Sequence, residues 1–151
     1  MLQINETSRA CYAFTASRVL ILPKDVMIAV VDDDASVREA LAGLMKSLGY
    51  RAMAFSSAED FLNSNGRDSA ACLIADVQMP GMTGPELYCH LIASGTPVPT
   101  ILITAYPDNG MRVRALQAGV VCCLTKPFRE SDLLACLNSA LNSRAAPKHP
   151  S

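Results

Sequence analysis

Five side chains stand out because each comes at, or shortly after, the end of a short apolar run. They are the acids Asp32, Asp33 and Asp76, the hydroxyl of Thr104 and the amine of Lys126. The apolar runs that precede them cover 27–31, 71–75, 100–103 and 120–124. Continuous apolar runs of this length are typical of strands that are buried on both faces. If those strands are parallel, their carboxyl ends meet at one edge of the sheet, and the five side chains converge there.

Three carboxylates in one crevice repel each other. At about 4 Å and an effective dielectric near 20, each pair costs about 4 kcal/mol, so a proton or a cation must lie among them. An all-oxygen cluster with few ligands suits Mg²⁺. Lys126 adds a positive charge and Thr104 a hydrogen-bond donor, an inventory that fits a dianionic phosphoryl group and its in-line transfer. A carboxylate can itself be the nucleophile and form an aspartyl phosphate.

Each residue also has an ordinary structural interpretation. The acids that follow the first run could begin a helix, since acids favour helix N-termini. Asp76 could cap a turn, Thr104 could simply favour a strand, and Lys126 could be a surface lysine. Their joint placement at four strand ends favours the chemical interpretation.

The elements that must position these side chains alternate along the chain. Strands are predicted at 27–31, 51–55, 71–75, 100–103 and 120–124, and helices at about 36–48, 56–66, 85–94, 109–118 and 130–142. The spacings Ser36-x-x-Glu39 and Ser56-x-x-Glu59 look like capping boxes at two helix starts, and Pro85 suits a first helical turn. Five βα units in succession predict an α/β fold with a doubly wound, parallel five-stranded sheet.

The length of 151 residues suits one domain with one core. We expect a domain at 26–143, a flexible N-terminal extension at 1–25 and a frayed tail at 144–151. The net charge of −1 provides no basic field for a phosphate backbone, which argues against nucleic-acid binding by this chain alone.

Six cysteines are present, and none forms a C-x-x-C pair. They are interpreted as apolar side chains in a reducing compartment, not as a zinc site or a disulfide framework. No apolar run approaches the ~20 residues of a transmembrane helix, and no signal peptide is evident, so a cytoplasmic protein without a membrane span is predicted.

Four motifs together resemble the receiver domain of response regulators in two-component systems. The strongest begins at Asp76 and reads D-x-x-M-P-x-M-x-G-x-E-L; the others are Val31-Asp32-Asp33, Thr104-Ala105 and Lys126-Pro127-Phe128. The resemblance covers about 26–143, and the motif sequences are similar to those of the FixJ/NodW-like branch. It implies the flavodoxin-like receiver fold, and a sensor histidine kinase or phosphotransfer protein as the partner that donates a phosphoryl group.

The resemblance also implies roles for residues. Asp76 is the phosphoacceptor, and Asp33 and Asp76 bind Mg²⁺ directly. Asp32 binds the ion partly through water, and the backbone carbonyl of Gln78 completes the protein ligands.

Thr104 and Lys126 would bind the phosphoryl group, Ala105 would leave room for it, and Lys126–Pro127 would be a cis peptide. Gln78 and Tyr106 would flank the site and tune hydrolysis of the aspartyl phosphate. Such a domain is a signalling module, not an enzyme: it phosphorylates itself from donors and dephosphorylates slowly. The face made by the predicted fourth helix, fifth strand and fifth helix is the candidate homodimer interface.

Two departures from the family pattern stand out. Receivers usually carry Tyr or Phe three residues before the lysine of the fifth strand, and here that position is Cys123. The aromatic rotamer switch is therefore expected to be missing or replaced. The chain also ends soon after the fifth predicted helix, so it is expected to be a stand-alone receiver or a piece of a longer protein.

Two alternatives remain open from the residues. The spacing Asp32-x-Asp34-x-Ser36 is similar to that of haloacid-dehalogenase phosphatases, which also use an aspartyl phosphate and Mg²⁺. Their nucleophile lies on the first strand, however, and they need a second acidic pair and a substrate cap. The other alternative is a pseudo-receiver that signals by binding alone, against which the complete acidic set, Thr104 and Lys126 argue.

Overall fold

The computed structural model describes residues 25–145, with the side chains of 144 and 145 left aside. The predicted extension at 1–25 and tail at 144–151 therefore lie almost entirely outside the described residues. Within the described part, no helix combines the length and the apolar character needed to cross a membrane.

Five strands form one parallel sheet, as the alternating pattern predicts. They are β1 Met27–Val31, β2 Arg51–Phe55, β3 Ala70–Asp76, β4 Thr100–Thr104 and β5 Cys122–Thr125. Their order in the sheet is β2-β1-β3-β4-β5. The three central strands are buried along their whole length, which explains their continuous apolar sequences. The predicted parallel five-stranded sheet is confirmed, and its strand order is that of the flavodoxin-like fold that the resemblance implies.

Six helices flank the sheet within residues 25–145. They are α1 Ala35–Ser47, α2 Ala58–Leu62, α3 Gly66–Ser69, α4 Gly84–Ala93, α5 Asn109–Ala118 and α6 Glu130–Ala145. The predicted fourth and fifth helices are therefore α5 and α6.

The predicted second helix is wrong as a single element, because it is interrupted between α2 and α3. The Ser64 hydroxyl donates to the carbonyl of Phe61 at 2.6 Å and accepts from the Gly66 N–H at 2.9 Å. These local bonds replace the next turn of α2, so the chain starts a new short helix at Gly66.

Two predicted helix starts are also shifted. Asp34, not Ser36, caps α1: its carboxylate accepts from the N–H groups of Ser36 and Val37, and Ser36 lies inside the helix. Ser57, not Ser56, caps α2 and accepts from the N–H of Asp60. In both places two capping-type residues lie close together, and the sequence alone does not show which one is extended.

The start of α4 confirms the position predicted for Pro85 in the first turn. A capping box forms there between Thr83 and Glu86, in which each side chain accepts from the other residue's backbone N–H. The helix that follows the β3 end is therefore fixed at its first residue.

The core lies on both faces of the sheet. Helices α2 and α4 pack Phe61, Leu87 and Leu91 against one face, and α1 and α6 pack Met45 and Leu137 against the other. Because the central strands are clamped between these two layers, their carboxyl ends have little freedom to move. The polar side chains at that edge are held on a rigid support.

Candidate functional site

Three acids gather at the carboxyl edge of the sheet. Asp32 and Asp33 follow β1, and Asp76 is the last residue of β3. The two strands are neighbours, with Val31 paired to Ala75, so their ends meet. One carboxylate oxygen from each acid lies within 4.8 Å of the others. Asp32 and Asp76 are buried, at 2% and 8% exposure, whereas Asp33 is exposed.

Lys126 joins this cluster from β5, the strand at one edge of the sheet. It follows β5, and its backbone N–H donates to the carbonyl of Thr104 at 2.8 Å. Its Nζ lies 3.3 Å from an Oδ atom of Asp32 and 3.3 Å from one of Asp76. The peptide between Lys126 and Pro127 is cis, as expected from the sequence. The ammonium thus bridges the two buried carboxylates.

The negative charge of the three carboxylates exceeds the positive charge that Lys126 supplies. Burial raises the pKa of Asp76, the carboxylate of Asp32 raises it further, and Lys126 only partly offsets these effects. Burial alone would lower the pKa of Lys126, but Asp32 and Asp76 outweigh it and the pKa is raised. Three carboxylates and one ammonium carry a formal charge of −3 + 1 = −2 when all are ionised. Hard oxygen ligands with this excess negative charge fit a divalent cation such as Mg²⁺.

Thr104, the last residue of β4, is buried, and its hydroxyl is fully engaged. Its Oγ1 accepts from the backbone N–H of Tyr106 at 3.0 Å and donates to the carbonyl of the same residue at 3.2 Å. The side chain of Tyr106 is 71% exposed. Thr104 therefore holds the start of the β4–α5 loop in its present conformation.

Gln78 lies in the loop between β3 and α4, and its side chain is exposed. The ends of this loop are fixed: the Val77 N–H donates to the carbonyl of Ile103 at 2.8 Å, and the Gly84 N–H donates to the carbonyl of Val77 at 3.1 Å. A Cβ on Gly84 would collide with the carbonyl oxygen of Asp76. This close approach explains why glycine occupies that position of the motif that begins at Asp76.

Two further contacts fix Asp32, and one of them involves a residue that sequence reasoning missed. Arg38, on α1, donates from Nη1 to the backbone carbonyl of Asp32 at 2.7 Å. The backbone N–H of Asp34 donates to the Asp32 carboxylate at 2.9 Å. No spacing rule links an arginine six residues on to this carbonyl, so no sequence signal was available for Arg38.

Cys123 is buried beside Thr104, where the family pattern has an aromatic residue. A pocket of about 70 Å³ lies next to both side chains and is also lined by Arg112 and Thr125. Arg112 donates from Nη1 to the carbonyl of Cys123 at 3.1 Å. Burial raises the pKa of the Cys123 thiol despite the nearby guanidinium of Arg112, so the side chain remains a neutral, small apolar group.

Comparison with known proteins gives a consistent result. The family model described as the response regulator receiver domain matches residues 28–138. The response regulator protein TmoT of Ectopseudomonas mendocina is 44% identical over 118 residues, which are 78% of this chain and 54% of that protein. Nodulation protein W of Bradyrhizobium diazoefficiens is 40% identical over 108 residues, or 72% of this chain and 48% of that protein.

The solved structures agree. A crystal structure of FixJ-N superposes with a TM-score of 0.70 at 32% identity, and the match covers 78% of this chain and 94% of that one. The chain spans about half the length of the curated relatives it matches. These matches do not favour the phosphatase or the pseudo-receiver alternative. The chain belongs to the response regulator receiver family, and it is a receiver domain of the two-component type.

Proposed function

We propose that Asp76 accepts a phosphoryl group from a sensor histidine kinase or a phosphotransfer protein, and that the acceptance requires Mg²⁺. One observation carries the proposal: Lys126 Nζ lies 3.3 Å from Asp76 and from Asp32, with Asp33 in the same carboxylate cluster. A nucleophilic carboxylate, further acids and a fixed ammonium in one crevice suit the transfer of a dianionic group.

The residues of the site fit Mg²⁺. Asp33 and Asp76 would bind the ion directly, Asp32 partly through water, and the backbone carbonyl of Gln78 would complete the protein ligands. When bound, the ion would neutralise excess negative charge and orient the oxygens of the phosphoryl group. The excess negative charge of the site supports this role, since the single ammonium of Lys126 offsets only part of it.

In the transfer itself, a carboxylate oxygen of Asp76 attacks phosphorus while the N–P bond to the donor histidine breaks. The electron pair of that bond returns to the imidazole. Lys126 would bind an oxygen of the transferred group, and Ala105 would leave it space. Thr104 would bind a second oxygen, for which its hydroxyl must stop donating to the carbonyl of Tyr106.

That exchange of partners supports a switching role for the loop after β4. When the Thr104 hydroxyl turns to the phosphoryl group, the loop that leads into α5 loses the bond from that hydroxyl to the carbonyl of Tyr106. Helix α5 exposes Val113 and Leu116, two large apolar side chains. Such residues support a protein-binding face formed by α5, β5 and α6, which would serve a homodimer or a downstream partner.

We infer a signalling module that phosphorylates itself from small donors and hydrolyses its own aspartyl phosphate slowly, in the cytoplasm. Gln78 and Tyr106, both exposed at the rim of the site, would tune that hydrolysis. A domain of this kind is labelled once per cycle, whereas a phosphatase turns over a substrate.

Mass spectrometry after incubation with acetyl phosphate or phosphoramidate and Mg²⁺ tests the proposal. We expect one added phosphoryl group on the wild type and none on Asp76→Asn. Asp68→Asn, an exposed acid on α3 outside the cluster, is the matched control and should be labelled like the wild type. Unchanged labelling of Asp76→Asn would refute the assignment, and sustained hydrolysis of a phosphomonoester would favour the phosphatase alternative.

A further inference from the structure

Glu59 is a carboxylate that the proposed mechanism does not yet use. The sequence suggested a capping box with Ser56, but Ser57 caps α2 and accepts from the N–H of Asp60. Glu59 instead accepts a hydrogen bond from the backbone N–H of Met82 at 3.2 Å, a contact between residues 23 positions apart. Met82 belongs to the loop that follows Asp76 and carries Gln78.

A second contact places the same carboxylate against this loop. Gly81 has φ +78°, and a Cβ added there would lie 2.9 Å from Oε2 of Glu59. The carboxylate therefore covers the exposed face of the Gly81 backbone. The absence of a side chain at Gly81 lets Glu59 approach closely enough to reach the next N–H.

The base of Glu59 is rigid, and the loop is anchored to the same core by the buried side chain of Met79 and by Met82, which packs against that core. Ala58 and Phe61, which flank Glu59 on α2, are fully buried in the core. Among residues 25–145, the bond from Met82 to Glu59 is the one hydrogen bond that ties the backbone of 78–82 to another part of the chain. The side chains of Met79 and Met82 attach the loop to the core, and Glu59 adds the hydrogen bond that fixes its backbone.

We propose that Glu59 is a positioning residue for the Mg²⁺ site. By binding the Met82 N–H, it holds the loop from which the carbonyl of Gln78 binds the cation. The inference rests on the proposed function, in which that carbonyl is a metal ligand. Residues that hold metal ligands in position contribute strongly to metal affinity, because they set the geometry of the ligands before the ion binds.

The hydrogen bond, and not the negative charge, is the feature that matters here. Glutamine has the same length, and its amide oxygen can accept from Met82 in the same way. Glu59→Gln should therefore behave like the wild type, and Glu59→Ala should not. Asp60→Ala is the matched control: Asp60 occupies the same first turn, but its side chain accepts from Ser56 and, within residues 25–145, makes no hydrogen bond to the loop.

Calorimetric titration with Mg²⁺ measures the affinity of all four proteins, and amide hydrogen exchange at Met82 reports on the loop without any metal. For Glu59→Ala we expect Mg²⁺ to bind about fivefold more weakly, as for the loss of one hydrogen bond. The Met82 amide should exchange faster. Labelling of Asp76 by acetyl phosphate should need more Mg²⁺ but reach nearly the wild-type rate at saturation.

The outcomes separate this inference from the proposed function. A wild type that neither binds Mg²⁺ nor becomes labelled at Asp76 would refute the proposed function. A wild type that does both, with Glu59→Ala equal to it in Mg²⁺ affinity, would overturn the role of Glu59 alone. So would Glu59→Gln as weak as Glu59→Ala, or Asp60→Ala weakened to the same degree, since these results indicate charge or general destabilisation.

Discussion

At the scale of single residues, the positions of the acids lower the stability of the fold when no cation is bound. Asp32 and Asp76 are both buried, and one ammonium serves both. Burial and the charge of Asp32 raise the pKa of Asp76, so its ionised form is disfavoured in the folded state. This cost is expected if the carboxylates serve to bind a cation and a phosphoryl group.

Asp76→Asn should stabilise the metal-free protein at neutral pH. The variant removes a buried, repelled charge, and Lys126 keeps Asp32 as its partner. An acid whose pKa is raised on folding binds its proton more tightly in the folded state, so its contribution to stability falls as pH rises from the unfolded value of 3.8 through the raised value.

Thermal melts in a chelator between pH 4 and pH 7 would measure this effect. The advantage of Asp76→Asn should be largest at neutral pH and shrink as the solution is acidified. Asp33→Asn is the control, because Asp33 is exposed and its charge is already solvated. If Asp76→Asn is less stable than the wild type at pH 7, the explanation by a buried, repelled charge is wrong.

The sequence predicted these residues better than it predicted their contacts. Asp32, Asp76, Thr104 and Lys126 follow apolar strands, and the parallel topology brings the ends of those strands together. The partners of each polar atom depend on loop conformations that no local pattern encodes. For this reason the bond from the Thr104 hydroxyl to the Tyr106 carbonyl, and that from the Met82 N–H to Glu59, became visible only in three dimensions.

At the scale of elements, strands were predicted more reliably than helix ends. Strands buried on both faces must be apolar throughout, so their positions can be read directly. Helix starts near Asp34 and Ser36 offer two capping residues, and only one adopts the extended conformation. The interruption after α2 depends on one serine hydroxyl, which carries no periodic signal.

The corrected start of α1 can be tested. Asp34→Ala should lower the melting temperature by a few degrees, because the first N–H groups of α1 lose their acceptor. Ser36→Ala should have a smaller effect, since it removes only the bond from the Ser36 hydroxyl to Asp34. The reverse ranking would restore Ser36 as the cap.

The pH dependence of the Asp34 variant has the opposite sign to that of Asp76. The hydroxyl of Ser36, and then the backbone N–H groups of Val37 and Ser36, lower the pKa of Asp34. The stabilisation is therefore present above the ordinary value of 3.8 and lost as pH falls through the lowered value. The difference between the wild type and Asp34→Ala should shrink in acid, as melts at pH 7 and pH 2 would show.

At the scale of the whole molecule, a cation bound at the edge of the sheet would couple metal binding to folding. A cation that binds the three gathered carboxylates binds only the folded chain, because the unfolded chain does not bring β1 and β3 together. At about 100 times its dissociation constant, Mg²⁺ should therefore add about 2.7 kcal/mol to the free energy of unfolding.

Denaturant titrations with and without Mg²⁺ would measure that gain. Asp33→Ala should remove most of it, while the surface variant Asp68→Ala should keep it. Equal stabilisation of the wild type and Asp33→Ala would show that the cation binds elsewhere.

A change at the site must be transmitted to the face formed by α5, β5 and α6 if that face is to respond to phosphorylation. In the family pattern an aromatic residue on β5 moves when the hydroxyl at the end of β4 binds the phosphoryl group. Here Cys123 occupies that position, and its small side chain packs with the core on the α4 and α5 side of the sheet. The remaining link is the loop held by Thr104 and Tyr106, together with the bond from Arg112 to the Cys123 carbonyl.

We therefore expect weaker coupling between Asp76 and that face than an aromatic residue would give. Sedimentation in beryllofluoride and Mg²⁺, which mimic the phosphorylated state, should show weaker dimerisation for the wild type than for Cys123→Tyr. Cys123→Ala, which keeps the position small, should behave like the wild type. If the wild type dimerises as tightly as Cys123→Tyr, the loop after β4 alone transmits the signal, because the tyrosine ring would then have added nothing to the switch.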